Sequence, residues 1–251
     1  MNFDRIMKIV LAPIILAILV KSINVFSFYV ADLIYGGISN WDADNSFLVL
    51  SIHHIIQAVI ILIIIAVYGK VRNISFEKFG FKKTGFDQAI KYVLVFISLW
   101  TLVQTISGFI LIWFFNEPIV FGFPLTTRNF LGHLAFQIFL SGTSEEMLFR
   151  VMVVVISTDI LKNVFNRKAL IFYLVSISTI IFMFDHINFN FSTLSITHFN
   201  FLQQLTLLIF GIFYGWLFIK YENYWAVAIA HNALNGIISL SALLLYLLLK
   251  L

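Results

Sequence analysis

The chain contains no cysteine, only three prolines, at positions 13, 118 and 124, and just 11% charged residues. Without cysteine there is no disulfide, no thiol nucleophile, no thiolate metal site and no lipobox or prenyl anchor. A soluble domain carries about 25% charged residues. Charge this scarce excludes a soluble enzyme, a disordered chain and a nucleic-acid-binding domain. The sequence also lacks a fixed-period repeat and a low-complexity tail.

What is present is apolar: 61% of the 251 residues are hydrophobic and the mean hydropathy is +0.99. A core of ordinary size cannot hide this much apolar surface, so the solvent is lipid. The length suits one integral-membrane domain over residues 1–251. A spanning helix needs about 20 mainly apolar residues. On that measure an all-α polytopic bundle of about seven spanning helices is expected, at roughly 6–30, 47–68, 90–115, 130–157, 169–187, 201–219 and 225–249. The first begins like a signal peptide, with Arg5 and Lys8 before an apolar run, but it continues too far and reads as an uncleaved anchor. The 29 phenylalanines suit lipid-facing surfaces.

The basic residues give an orientation. Lys70, Arg72, Lys78, Lys82, Lys83 and Lys91 follow the second span, and Lys162, Arg167 and Lys168 follow the fourth. Arg5 and Lys8 precede the first and Lys220 follows the sixth, so these residues share one side. The opposite connections hold Asp32, Asp42, Asp44, Glu117 and Arg128, with Lys250 at the C-terminus. The positive-inside rule then puts the N-terminus in the cytoplasm of a multi-pass cell-membrane protein. The basic loops suit acidic lipid or an acidic substrate tail. High Ile, Phe, Asn and Lys usage suits an AT-rich bacterial genome. Lys21, inside the first span, is expected to snorkel or to mark a shorter span.

Ionisable groups within apolar segments are expensive, at about 2.5–3.5 kcal/mol each near mid-bilayer on insertion scales, and usually face the bundle interior. The fourth span contains Ser144-Glu145-Glu146-Met147-Leu148-Phe149-Arg150. Glu146 and Arg150 share a helix face and can pair. Glu145 points about 100° away, without a local partner, as a candidate general base. The preceding Ser141, Gly142 and Thr143 are small enough to admit a close neighbour. His186, beside Asp185, ends the fifth span, and His231 and Asn235 share one face of the seventh, where an imidazole and an amide suit an oxyanion. Each segment alone also fits helix packing. Together they supply what a hydrolase needs to activate water and hold a tetrahedral intermediate. His and Glu are equally standard zinc ligands, and spacing does not separate the two. His53-His54, His133 and His198 are expected at the interfaces.

Glu145-Glu146-x-x-x-Arg150, Phe182-x-x-x-His186 and His231-x-x-x-Asn235, in that order on apolar spans, resemble the CPBP family, the CAAX-protease and bacteriocin-processing (Abi) intramembrane proteases. The resemblance covers roughly residues 130–240, and Phe79-Gly80-Phe81-Lys82-Lys83 also looks like an upstream family motif. It implies an endopeptidase acting on a peptide or membrane-protein substrate, with Glu145 and His186 activating water and His231 and Asn235 stabilising the oxyanion. Glu146 and Arg150 take structural or supporting roles. In the family's metal-dependent description, Glu145, His186 and His231 are the implied ligands of a divalent metal such as zinc; a metal-free glutamate description uses the same residues. The chain departs from the pattern at Val151, where many members have glycine, and at Asp185, which bears on the titration of His186. A prenylated substrate is not implied, nor is a nucleic-acid partner. The absence of HExxH, GxSxG and GxGD sets the chain apart from zincin, site-2, rhomboid and presenilin-like proteases.

Helix depth fits imperfectly. At 1.5 Å per residue, Glu145, His186 and His231 lie roughly 18, 25 and 9 Å from the basic side. Starting the fifth span near Tyr173 and the seventh near Tyr221 brings the last two to roughly 20 and 15 Å, and tilted or broken helices would serve as well. A non-proteolytic scaffold or immunity protein is the rival reading. A proton-coupled carrier is disfavoured by the lack of an inverted repeat.

Overall fold

In lipid every backbone N–H and C=O must be satisfied within the protein, which leaves helices as the economical answer to long apolar runs. The computed structural model describes residues 3–190, 193 and 195–249, the last without its side chain, so Lys250 lies outside the described residues. Six helices among them are long and apolar enough to cross a membrane. These are α1 (Phe3–Ile38), α2 (Leu48–Arg72), α3 (Phe86–Phe115), and, after α4 (127–161), α5 (Arg167–Asp185), α6 (Phe201–Tyr221) and α7 (Tyr224–Leu249). The protein is thus a polytopic helical bundle, as expected.

The expected fourth span, 130–157, lies in α4, which is helical throughout but not uniformly so. Two π-helical turns, Gln137–Ser141 and Met147–Met152, bracket the short α-helical piece Gly142–Glu146. A π turn takes in an extra residue, re-phases the side chains that follow, and is frequent at functional sites. α4 is also the centre of the molecule: Leu148, Phe149, Val151, Met152 and Val153 are fully buried.

The basic connections gather on one face. Arg5 at the start of α1 donates to the Val164 carbonyl, Arg72 pairs with Asp159 at 2.8 Å, and Lys82 pairs with Glu222 at 2.8 Å. Here the Phe79–Lys83 motif clamps the α6–α7 turn. Gly80, at φ +92°, packs against Phe218, and its carbonyl accepts the Tyr224 N–H at 3.0 Å; Asn223 donates to the carbonyls of Lys82 and Thr84. Asn223 and Tyr224 are consequently buried. Helix α7 therefore starts inside the protein, and α5 starts at Arg167. These helices thus start at Tyr224 and Arg167, not at the shifted positions Tyr221 and Tyr173.

On the opposite face, Asn129 donates to Asp44 at 2.8 Å and His133 meets the Ser46 carbonyl at 3.2 Å. Burial raises the Asp42 carboxyl, but N–H donors from Phe47, Leu48 and Ser46 outweigh it and hold the group below its ordinary range, fixing the entry to α2. A feature not expected is a β-hairpin between α5 and α6, with β1 (Asn188–Asn190) antiparallel to β2 (Ser195–His198).

Candidate active site

The two π turns put Glu146 and Arg150 where no water reaches: both are 0% exposed. Arg150 Nε donates to Glu146 Oε2 at 3.0 Å, the i,i+4 pairing expected. Its terminal nitrogens find no acceptor among the described residues, and the guanidinium lies 5.3 Å from the Phe182 ring centre and 6.0 Å from that of Tyr214. The aromatic faces supply part of what a second acceptor would. This gives the phenylalanine of the second motif a physical task.

The second Glu146 oxygen reaches across to α7, with Oε1 at 2.9 Å from His231 Nδ1. His231 Nε2 faces Glu145 Oε2 at 3.8 Å, and the ring stacks on Tyr214 at 5.1 Å between centres. With Nδ1–H directed at Glu146, neutral His231 presents the Nε2 lone pair toward Glu145, and protonation makes both nitrogens donors.

Glu145 is linked to the remaining α7 residue through Ser141. Asn235 Nδ2 donates to Ser141 Oγ at 3.0 Å, and Ser141 Oγ donates to Glu145 Oε1 at 3.3 Å. One polar chain thus runs Asn235, Ser141, Glu145, His231, Glu146, Arg150. It depends on close approach of α4 and α7, which Gly142 permits: a Cβ there would lie 2.6 Å from the His231 Cβ. The Gly142 N–H, at the junction of a π turn and an α turn, donates to Asn232 Oδ1 at 2.8 Å, and Asn232 Nδ2 donates to Thr143 Oγ1 at 2.9 Å. Sequence reading assigned no role to Asn232 and took Ser141 only as a small residue that admits a close neighbour. Their polarity in apolar spans was the available signal.

His186 stands apart from that chain. Its Nδ1 is engaged with the Phe182 carbonyl at 2.9 Å, leaving Nε2 for the cavity of about 290 Å³ that His186 and Glu145 both line. Asn235 instead lines a separate cavity of about 410 Å³ with His133 and Gln137. Glu145 therefore lies between the two, with His186 on one side and Ser141 leading to Asn235 on the other.

The first cavity corrects two expectations. His53 and His54 are not interfacial: they are 2% and 7% exposed and line the same cavity as Glu145. His54 Nδ1 hydrogen-bonds Ser144 Oγ, and His53 stacks on Phe28 at 3.6 Å. Residues of α1 and the hairpin, Asn24, Phe28, Asn188 and exposed His198, line it as well. Lys21 neither snorkels nor ends its helix. Its Nζ donates to the carbonyls of Asp185 at 2.8 Å and Ile187 at 3.2 Å, and lies 3.6 Å from the Asp185 carboxylate. Exposed carbonyls at a helix C-terminus attract a cation. Asn24 Nδ2 also donates to Asp185 Oδ2, at 2.6 Å, so Asp185 ties α1 to the end of α5 beside His186.

The implied metal set does not converge in this arrangement. Among the described residues no group of three or more His, Asp or Glu side chains is disposed to hold an ion. His231 already gives Nδ1 to Glu146 and does not line the cavity that His186 and Glu145 share.

Residues 127–237 match the family model described as type II CAAX prenyl endopeptidase Rce1-like. The match begins at the first residue of α4 and ends just beyond Asn235, enclosing all three motifs. No curated protein and no solved structure matches the chain. Over residues 127–237, with Glu145, Glu146, Arg150, His186, His231 and Asn235 in place, the chain is thus matched to the Rce1-like CAAX endopeptidase family, as its motifs implied.

Proposed function

We propose that the chain is an intramembrane endopeptidase hydrolysing a peptide bond in a peptide or membrane-anchored protein, with its N-terminus and basic face in the cytoplasm. The observation that carries this reading is that Glu145 and His186, from α4 and α5, line one cavity, while His231 Nε2 lies 3.8 Å from Glu145 and Asn235 is linked to it through Ser141. Glu145 takes a proton from water as its oxygen attacks the scissile carbonyl, with His186 Nε2 orienting that water. His231, with a proton on Nε2, and the Asn235 amide, released from Ser141, donate to the oxyanion that forms. When the C–N bond breaks, Glu145 returns its proton to the leaving amine. Glu146 and Arg150 hold His231 in register and leave no unpaired charge in lipid.

One observation favours a second reading. Asn232, Asn235 and His231 are all engaged in bonds between α4 and α7, as a scaffold that keeps the motifs for packing would have them. Mass spectrometry of membrane and secreted peptides from cells expressing wild type or Glu145→Ala at equal levels separates the two. Proteolysis predicts a precursor that accumulates in the variant, with its cut product only in the wild type. Identical profiles with the variant still functional would favour the scaffold.

A further inference from the structure

Away from both cavities, a pocket of about 600 Å³ opens on the face where the basic connections meet. Its floor is apolar, with Val154, Leu174 and Phe218 buried in it. Its rim carries Arg72, Lys78, Lys162 and Arg167, all exposed, against two acids, Asp159 and Glu222. Both acids are already answered. Asp159 accepts from Arg72 at 2.8 Å, Lys162 at 2.9 Å and the Tyr68 hydroxyl at 2.9 Å, and Glu222 pairs with Lys82. Lys78 and Arg167 have no carboxylate within ion-pair distance among the described residues.

Unanswered cations around an apolar floor, at the ends of membrane-length helices, match a ligand with an anionic head and a hydrocarbon body. We propose that this pocket binds an anionic phospholipid, with its phosphate between Lys78 and Arg167 and the start of an acyl chain on the floor. A free phosphate would leave the floor unused, and a zwitterionic choline head would bring a cation to a cationic rim. The pocket shares no lining residue with the cavity of Glu145 and His186, so the inference does not rest on the proposed proteolysis.

The test uses the full chain, delipidated in non-ionic detergent and titrated with dioleoylphosphatidylglycerol or dioleoylphosphatidylcholine, with bound lipid read by native mass spectrometry. One phosphatidylglycerol per chain is expected, retained at least about tenfold more tightly than phosphatidylcholine. Lys78→Gln with Arg167→Gln should weaken it on the order of tenfold or more, while Lys83→Gln with Lys91→Gln, outside the pocket, should not. Val155→Trp, which fills the floor, should weaken it as well. Equal retention of the two lipids, or undiminished binding in the rim or floor variants, would overturn the site. Displacement by inorganic phosphate at comparable concentration would assign the rim to free phosphate and overturn the lipid.

Discussion

Helices α3 and α4 are of similar length, lie in the same bilayer-sized bundle, and share almost nothing else. In α3 only Ala89, Val93 and Trp100 are buried, and side chains such as Leu94, Val95 and Leu99 are each about 60% exposed to what must be lipid. Helix α4 turns two carboxylates and an arginine inward, breaks its own ladder twice, and is surrounded by the rest of the fold. The difference teaches where free energy is at stake. A lipid-facing side chain has the same surroundings folded or merely inserted, whereas a buried ion or a glycine at a helix crossing has only one arrangement that satisfies it.

That contrast can be broken most severely at Glu145. Glu145→Gln should lower turnover by about 10²–10⁴-fold, the usual worth of a general base, with the unfolding midpoint near that of the wild type. Turnover of a precursor identified in cells, together with thermal unfolding in detergent, measures both. Arg150→Met comes next: it strands Glu146 without its cation, a loss of about 3–5 kcal/mol for a broken buried pair, read as a lowered unfolding midpoint or failure to accumulate. Gly142→Ala places a methyl group against His231 and should cost about 1–3 kcal/mol as overpacking, with activity falling alongside stability. On α3, Leu99→Ala should change stability by less than about 0.5 kcal/mol. A large loss there would mean that α3 has a partner on its outer face.

Much of the fold was legible because composition alone decides the solvent, and the solvent decides that apolar runs become helices. The motif residues were legible because ionisable groups inside apolar spans are too costly to be incidental. The π turns were not legible, since no residue pattern distinguishes Gln137–Ser141 from ordinary helix; the break is sustained by partners such as Asn232, ninety positions away. The histidine pair at 53 and 54 was misread for the same reason. An interfacial position and a cavity wall look alike until α1 and the hairpin are seen to cover it. Lys21 was expected to snorkel or to mark a shorter span because its partners are largely backbone carbonyls, which carry no sequence signal.

The central claim is that the polar interior of α4 performs chemistry and is not only packing. It is tested most directly by incubating purified Glu145→Gln and wild-type protein, in detergent with verified metal-free buffer, with the precursor identified in cells, while following product and thermal unfolding in the same samples. The account predicts cleavage by the wild type, cleavage at least about 10²-fold slower by the variant, and coincident unfolding curves. Cleavage by the variant near the wild-type rate, or loss of cleavage only where the fold is also lost, would contradict it.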